Sequence, residues 1–336
     1  MEAQDLDVSP LQALTLRAAR QRHLPMESRG AAPPAATPLS VSIVIPAFNS
    51  AAHVERLLAS LCAQTYPRGR YEIIVVDDGS SDATAALAER ALAQWEGGAG
   101  RVLRKTNGGP ASARNAGIRA STADVIAFID ADCVADPDWL EKVVGALESG
   151  AAGAGGPLRN VAPPGWVSDY LSACDFFRQR ARNGVVDYLL TANVAFRRAA
   201  LTEVGGFAER PGVWTEDADL SFRLKQEGYA LLLASGGAVT HFGSPGSVKA
   251  LGRELYRYGF GSAVLSRNWR NGRSPAIEFI RHGGAALLAP LLALRLRNRV
   301  GLARAMSFWP LITLEHLSFC WGLCMGVMRG SAEKGA

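Results

Sequence analysis

Cysteine is scarce in this 336-residue chain: five residues, at positions 62, 133, 174, 320 and 324, with no CxxC pair among them. That excludes a disulfide-stapled secreted scaffold and a zinc site of ordinary spacing, and it fits a reducing, cytoplasmic compartment. No GxGxxG follows the first strand-like run, which argues against a dinucleotide site, and no GxxxxGK[ST] loop is present to cradle a triphosphate. Residues 1–40 lack the continuous apolar core of a secretion signal, so export is not expected. That segment holds "GAAPPAATP", with no apolar periodicity after it until Val41, and it reads as a disordered N-terminal tail and linker.

What the chain does have is apolar mass, 48% of its residues, with a modest net charge of +5 drawn largely from arginine. From Val41 onward strand-like and helix-like runs alternate. "VSIVIPAFN" is a β-branched run, and Val54, Leu57, Leu58 and Leu61 recur at helical spacing before Pro67. "YEIIVVDD", "RVLRKT" and "DVIAFID" are further strands, separated by "ATAALAERALAQW" and "GPASARNAGIRAS" as helices. Near-continuous apolar strands between helices imply parallel strands covered on both faces, hence a doubly wound α/β sheet. Ligands of such sheets bind at the carboxyl ends of the strands, where Phe48-Asn49, Asp77-Asp78 and Asp130-Ala131-Asp132 all fall.

Asp130 and Asp132 are two apart. On an extended segment they project to the same side, roughly 6 to 7 Å apart at Cα, and repel unless a cation or ligand lies between them. An acidic crevice with few glycines suits Mg²⁺ or Mn²⁺, which takes one or two carboxylates and fills its other positions with water and phosphate oxygens.

Taken together, the residues resemble family-2 glycosyltransferases of the GT-A fold, a doubly wound mixed sheet. The likeness runs from about Val41 to Gly243 through "VSIVIPAFN", "SLCAQTYP", "IIVVDDGSSDAT", "NGGPASARNAGI", "DVIAFIDAD", "ANVAFRRAALTEVGGF" and "TEDADLSFRLKQEGY", in order. The resemblance implies a nucleotide-diphosphate sugar donor, a divalent metal at the DxD and inversion at the anomeric carbon. Carried onto this chain, it places Pro46, Phe48 and Asp78 around a uracil-like base, with Asp78 accepting from the ring N–H. Asp130 then lies near ribose and a metal-bound water, and Asp132 is the direct metal ligand. Arg114 serves the donor phosphates or forms an ion pair with Asp130 or Asp78. The ED pair supplies the base: Asp217 takes the acceptor proton, while Glu216 orders the loop or the acceptor. Asn193 falls on the acceptor side or its loop, and Ala192 stands where the family commonly has Gly. His241 is either a third metal or phosphate ligand or an ordinary core histidine.

Other features of these segments have local readings. Thr215 is suited to cap the helix that starts at the ED pair, and Asp219 and Arg223, four apart, suit a local ion pair. Residues 41–245 thus form the expected catalytic domain. Residues 246–336 form a basic amphipathic and apolar helical region, with Arg253, Arg257, Arg267, Arg270 and Arg273 beside Tyr256, Tyr258, Phe260 and Trp269. Its two apolar stretches are 283–294, too short to span a bilayer, and 305–328, interrupted by Glu315 and His316. Joined by Arg295, Arg297, Arg299 and Arg304, they suit an interfacial hairpin on the anionic inner face of the cell membrane, or a pair of buried helices. The acceptor expected there is a glycan or lipid-linked one, and no nucleic acid is expected. One alternative fits "FIDADCV": a haloacid-dehalogenase-type phosphatase with Asp130 as nucleophile and Asp132 as general acid.

Overall fold

The computed structural model describes residues 38–175, 179, 181–210, 215–268 and 274–332; most of the expected tail, with Trp269, Arg270 and Arg273 and the side chain of Arg267, lies outside them. Four strands come first and run parallel: β1 (Val41–Ala47), β2 (Tyr71–Asp77), β3 (Ala99–Arg104) and β4 (Val125–Phe128). Helices α1 (Val54–Cys62), α2 (Thr84–Ala93) and α3 (Pro110–Ala120) connect them. Alternation along β1 feeds two cores. Val41, Ile43 and Ile45 join the α1 leucines on one face, and Val44 joins Ile74, Val76 and Phe128 on the other. Leu57, Leu58 and Leu61 are fully buried, each contributing about 1.5–3 kcal/mol by removal from water. Gly117 lets α3 lie close on the sheet, since a Cβ there would meet Val44 Cγ1 at 2.2 Å.

After β4 the chain leaves the parallel pattern. It forms β5 (Cys133–Ala135), α4 (Trp139–Leu147), β6 (Gly153–Gly155), β7 (Leu158–Asn160) and α5 (Trp166–Ala173). Then come β8 (Val194–Arg197), α6 (Arg198–Glu203), α7 (Glu216–Gln226), β9 (Leu231–Leu233) and β10 (Val239–His241). The large sheet has the order β3-β2-β1-β4-β8-β6-β9, with β8 antiparallel to both neighbours, so it is mixed. A small sheet, β5-β10-β7, stands at its carboxyl edge. The turn between β4 and β5 carries the chain from one sheet to the other, and the DxD lies on that turn.

The remaining chain is helical: α8 (Val248–Asn268), α9 (Pro275–Leu287), α10 (Ala289–Ala293), a 3-10 turn at Leu294–Leu296, α11 (Arg297–Val300), α12 (Leu302–Ser307) and α13 (Trp309–Ala332). One apolar cluster joins Tyr170 and Leu171 of α5 and Phe222 of α7 to Leu251 and Leu255 of α8 and to Phe308 and Ile312. Glycines bring α8 and α13 close: a Cβ at Gly259 would lie 2.0 Å from the Phe319 carbonyl, and one at Gly322 would lie 1.9 Å from that of Tyr256. Gly322 and Gly326 are four apart, the small-residue spacing that permits backbones to touch. By length and composition, the stretch Leu302–Arg329 is long and apolar enough to cross a membrane, and half of it is buried in the protein. The pair α9 and α10–α11 is bent by 76°.

Candidate active site

Asp130 and Asp132 do not lie on an extended strand. β4 ends at Phe128, and the Cys133 amide donates to the Asp130 carbonyl at 3.1 Å, closing a turn. The alternation expected from the sequence therefore does not apply, because the chain must turn here to enter the second sheet. The two carboxylates, each about 30% exposed, meet different partners.

Asp130 faces Arg114 from α3. The guanidinium is 4% exposed; Nη2 donates to Asp130 Oδ1 at 2.9 Å and Nη1 donates to Glu216 Oε1 at 2.7 Å. Arg114 Nε has no hydrogen-bond partner among the described residues. Of the two ion-pair partners that the sequence offers, Arg114 takes Asp130 rather than Asp78. It also links the DxD turn to the start of α7, a connection between residues 102 apart in sequence.

Asp217 is the next residue on α7. Its Oδ1 accepts from the Ala218 amide at 2.7 Å. Burial, reinforced by the Glu216 charge, pushes its pKa up to about 7. Thr215 occupies the cap position, but its hydroxyl makes no cap bond. The side chain packs instead where a Cβ on Gly261 of α8 would meet Thr215 Cγ2 at 2.3 Å. Asp219 is paired with Arg223 at 2.9 Å, the expected local pair, and Arg210 also approaches to 3.8 Å.

Asp132 faces His241 at the end of β10: Nε2 lies 3.5 Å from Oδ1. The other ring nitrogen, Nδ1, is 3.1 Å from Asn160 Oδ1, so the ring is held with Nε2 turned toward Asp132. Burial raises the Asp132 pKa, with His241 opposing that shift and Asp130 adding to it. Gly243 keeps the space open, since a Cβ there would lie 2.2 Å from Asp132 Oδ2 and 2.9 Å from His241 Nε2. Asp132, Cys133 and His241 bring a carboxylate oxygen, a sulfur and a ring nitrogen within 4.8 Å of one another. An imidazole nitrogen, a carboxylate and a space held free of side chain fit a divalent cation. Glu254 of α8 stands near, its pKa raised by burial and eased by the Tyr258 hydroxyl that donates to it at 2.8 Å.

Two expected residues are engaged inside the protein. Asp78 is buried, and its oxygens accept from Lys105 Nζ at 2.5 Å, the Gly108 amide at 3.0 Å and the Gly109 amide at 2.7 Å. Asn193 is 2% exposed and makes a clip. Its Oδ1 accepts from Trp139 Nε1 at 2.8 Å, and its Nδ2 donates to the Pro157 and Gly237 carbonyls at 2.9 and 3.1 Å. That geometry places Asn193 in the wall of the loop, with no polar atom left for an acceptor. Pro46 lies near the end of β1 and Phe48 just after it, and Phe48 is 51% exposed. Sequence reasoning missed Lys105, Asn160, Gly243 and Glu254. Only "NGG" after Lys105 and the glycine of "HFG" carried a signal, as a backbone that admits close approach.

Comparison with known proteins identifies the family and the fold. A family model described as "Glycosyl transferase family 2" matches residues 42–205, and one described as "Glycosyl transferase family group 2" matches residues 125–329, more than half the chain. Glycosyltransferase AglE of Haloferax volcanii is 28% identical over 199 residues, 58% of this chain and 64% of that protein. Beta-monoglucosyldiacylglycerol synthase of Trichormus variabilis is 30% identical over 224 residues, 64% of this chain and 46% of that protein. The matched region thus spans about half to two thirds of these relatives' length. Among solved structures, the mannosyltransferase PcManGT from Pyrobaculum calidifontis, in complex with GDP-Man and Mn²⁺, aligns with a TM-score of 0.60 at 19% identity, covering 88% of this chain and 89% of that one. It shares the GT-A fold. The ordered motifs, the mixed sheet and the family matches agree: this chain belongs to glycosyl transferase family 2.

Proposed function

We propose that the chain transfers a sugar, with inversion at the anomeric carbon, from a nucleoside diphosphate donor to a glycan or lipid-linked acceptor at the cytoplasmic face of a membrane. The observation that carries this reading is one buried bridge: Arg114 joins Asp130 of the DxD turn to Glu216, and the next residue, Asp217, has its carboxyl pushed up to about 7. A base whose pKa lies near working pH can take the acceptor hydroxyl's proton as its oxygen attacks. Glu216, pinned by Arg114, fixes the first turn of α7 and so the position of Asp217.

In this reading Pro46 and Phe48 line the base, and Asp78 accepts from its N–H where Lys105 now donates. Uridine is the first base to test; the structural neighbour bound to GDP-Man makes guanosine the second. Asp132 and His241, with Asp130 beside them, would hold Mn²⁺ or Mg²⁺, which when bound neutralises charge on the departing diphosphate. The imidazole in that set favours Mn²⁺ over Mg²⁺. Arg114 keeps Asp130 oriented toward the donor and shares its charge with the site. The phosphatase alternative fits less well, because Asp130 is already engaged by a buried arginine that is tied also to Glu216.

The membrane part of the proposal rests on exposed apolar side chains of α9 to α10, among them Ile277, Ile280, Leu287, Leu288 and Leu291. Arg295 and Arg297 are exposed beside them. Arg299 and Arg304 differ from expectation. They pair with Asp175, at 2.8 Å, and with Asp169, fastening the helical region to α5 and the loop after it. A relative named for a glucosyl lipid supports a lipid acceptor.

The test combines a panel of uridine and guanosine diphosphate sugars with Asp217→Asn. The variant should bind donor as the wild type does, while transfer falls ~10²-fold or more, and product anomers read by NMR should be inverted. Near-normal transfer by Asp217→Asn would leave Asp217 as a helix-start residue only and end this mechanism.

A further inference from the structure

The residue after the DxD, Cys133, has no part in the proposed transfer, yet it stands at the proposed cation site. It is fully buried at the start of β5, and its Sγ lies 3.9 Å from Asp132 Oδ1. His241 Nε2 lies 3.5 Å from the same oxygen, and the three ligand atoms fall within one 4.8 Å group. In a tetrahedral site with bonds of ~2.0 Å to O and N and ~2.3 Å to S, neighbouring ligand atoms are separated by roughly 3.3–3.5 Å. One edge already has that length and the other exceeds it by a few tenths of an ångström. Two further features prepare the site. Asn160 holds the Nδ1 side of the His241 ring, which turns Nε2 toward Asp132, and Gly243 leaves open the volume that a Cβ would take from Asp132 and His241.

The geometry points to Cys133 as a third protein ligand, one that makes this a mixed O, N and S site able to bind a thiophilic divalent ion such as Zn²⁺ or Cd²⁺ in competition with the oxygen-seeking ion of transfer. This rests on the proposed cation site at Asp132 and His241 but concerns a residue that reading leaves unused. Hard ions need only the carboxylate, imidazole, water and phosphate oxygens. A soft ion gains the sulfur as well, and on N/O/S sites Zn²⁺ already outranks Mn²⁺ in affinity. On binding, the Sγ–H bond breaks as the sulfur–metal bond forms, and the proton leaves to water with no change of oxidation state. The consequence is an enzyme that thiophilic ions silence by occupying the Mn²⁺ position.

The experiment titrates the full-length, chelator-stripped protein with Co²⁺ alone, without donor, and reads absorption. Wild type should show a sulfur-to-cobalt charge-transfer band in the near ultraviolet with visible bands of four-coordinate cobalt. Cys133→Ser should lose the sulfur band; subtracting its spectrum removes any contribution from the other four cysteines. Loss of outer-shell partners alone costs ~10–100-fold in metal affinity, so loss of a direct ligand should weaken Zn²⁺, measured against a chromophoric chelator, by at least about tenfold. Mn²⁺ affinity, followed by electron paramagnetic resonance, should change by less than about twofold in the same variant, since sulfur is a poor partner for it. Cys133→Ala serves as the second variant if serine in the buried position lowers the melting temperature. Cobalt binding without the sulfur band, or equal Zn²⁺ affinity in wild type and both variants, overturns the inference while leaving the Asp132 site in place. Failure of Mn²⁺ and Co²⁺ alike to bind, even with UDP added, ends both the inference and the metal reading.

Discussion

Two regions of the molecule bury carboxylates beside cations or imidazoles, and they do so differently. At the strand ends, Arg114 holds Asp130 and Glu216, but Asp130 and Asp132 keep about 30% of their side chains exposed. Between α9 and α13, Glu278 is held by Arg281 at 2.7 Å and lies 2% exposed, while Glu315 of α13 accepts from the Tyr170 hydroxyl and is wholly buried. His282 and His316 meet there too, Nδ1 to Nδ1 at 2.8 Å. One set is open to solvent. The other is closed and fastens apolar helices to α5. A buried ion pair or network is weak evidence of function by itself, and access is what separates the two.

The largest expected effect breaks the open set. Asp132→Ala should abolish metal-dependent donor binding while circular dichroism and melting stay near wild type, because the side chain is about 30% exposed. Donor affinity that is the same with and without chelator, in wild type, would remove the metal role.

A pH profile sharpens the contrast. Asp217 must be deprotonated to act, and its pKa is raised to about 7. Hence kcat/KM should fall about tenfold per unit as pH drops below that value and level off above it. The same shift has a stability consequence of definite sign. The native state holds a proton that the unfolded chain, with an Asp pKa of ~3.9, gives up, so this group makes the fold less stable as pH rises between about 4 and about 7. In Asp217→Asn both dependences should vanish.

The closed set predicts stability loss without chemistry. Tyr170→Phe removes the donor to Glu315 and should cost about 1–3 kcal/mol in denaturant unfolding, with donor affinity unchanged at temperatures where the variant is folded. An effect on donor affinity larger than on unfolding would mean that this cluster reaches the active site. The smallest effect concerns the surface. Changing Arg295 and Arg297 to Gln should weaken binding to anionic vesicles by about 1 kcal/mol each and leave binding to neutral vesicles unchanged. Full-length protein that ignores vesicles of both kinds removes the membrane assignment and leaves the family assignment as it is.

Local pattern is legible where a run of residues shares one environment. The period of β1 and the spacing of Val54, Leu57, Leu58 and Leu61 mark the sheet and α1, since burial on a strand or helix follows 2.0 or 3.6 periodicity whatever the neighbours. The site is legible as blocks with a family likeness, but not as geometry. The DxD reads as the end of an extended strand and is a turn, because the next strand, β5, belongs to another sheet. Thr215 reads as a cap and is packing surface for α8. Asn193 reads as a residue of the acceptor side or its loop, and it clips that loop to Trp139, Pro157 and Gly237, none of them next to it in sequence.

The sequence by itself determined the alternation of strands and helices, the apolar faces that build two cores on one sheet, and a chemistry of carboxylates at strand ends. Those properties depend on residue type and short spacing alone. Tertiary structure decided which carboxylate meets which cation, that His241 turns Nε2 toward Asp132, that Asp217 titrates near neutrality, and that Glu315 and His316 are enclosed by protein. Each of these depends on desolvation and on partners brought from far along the chain, and neither is a property that one residue or its sequence neighbours possess.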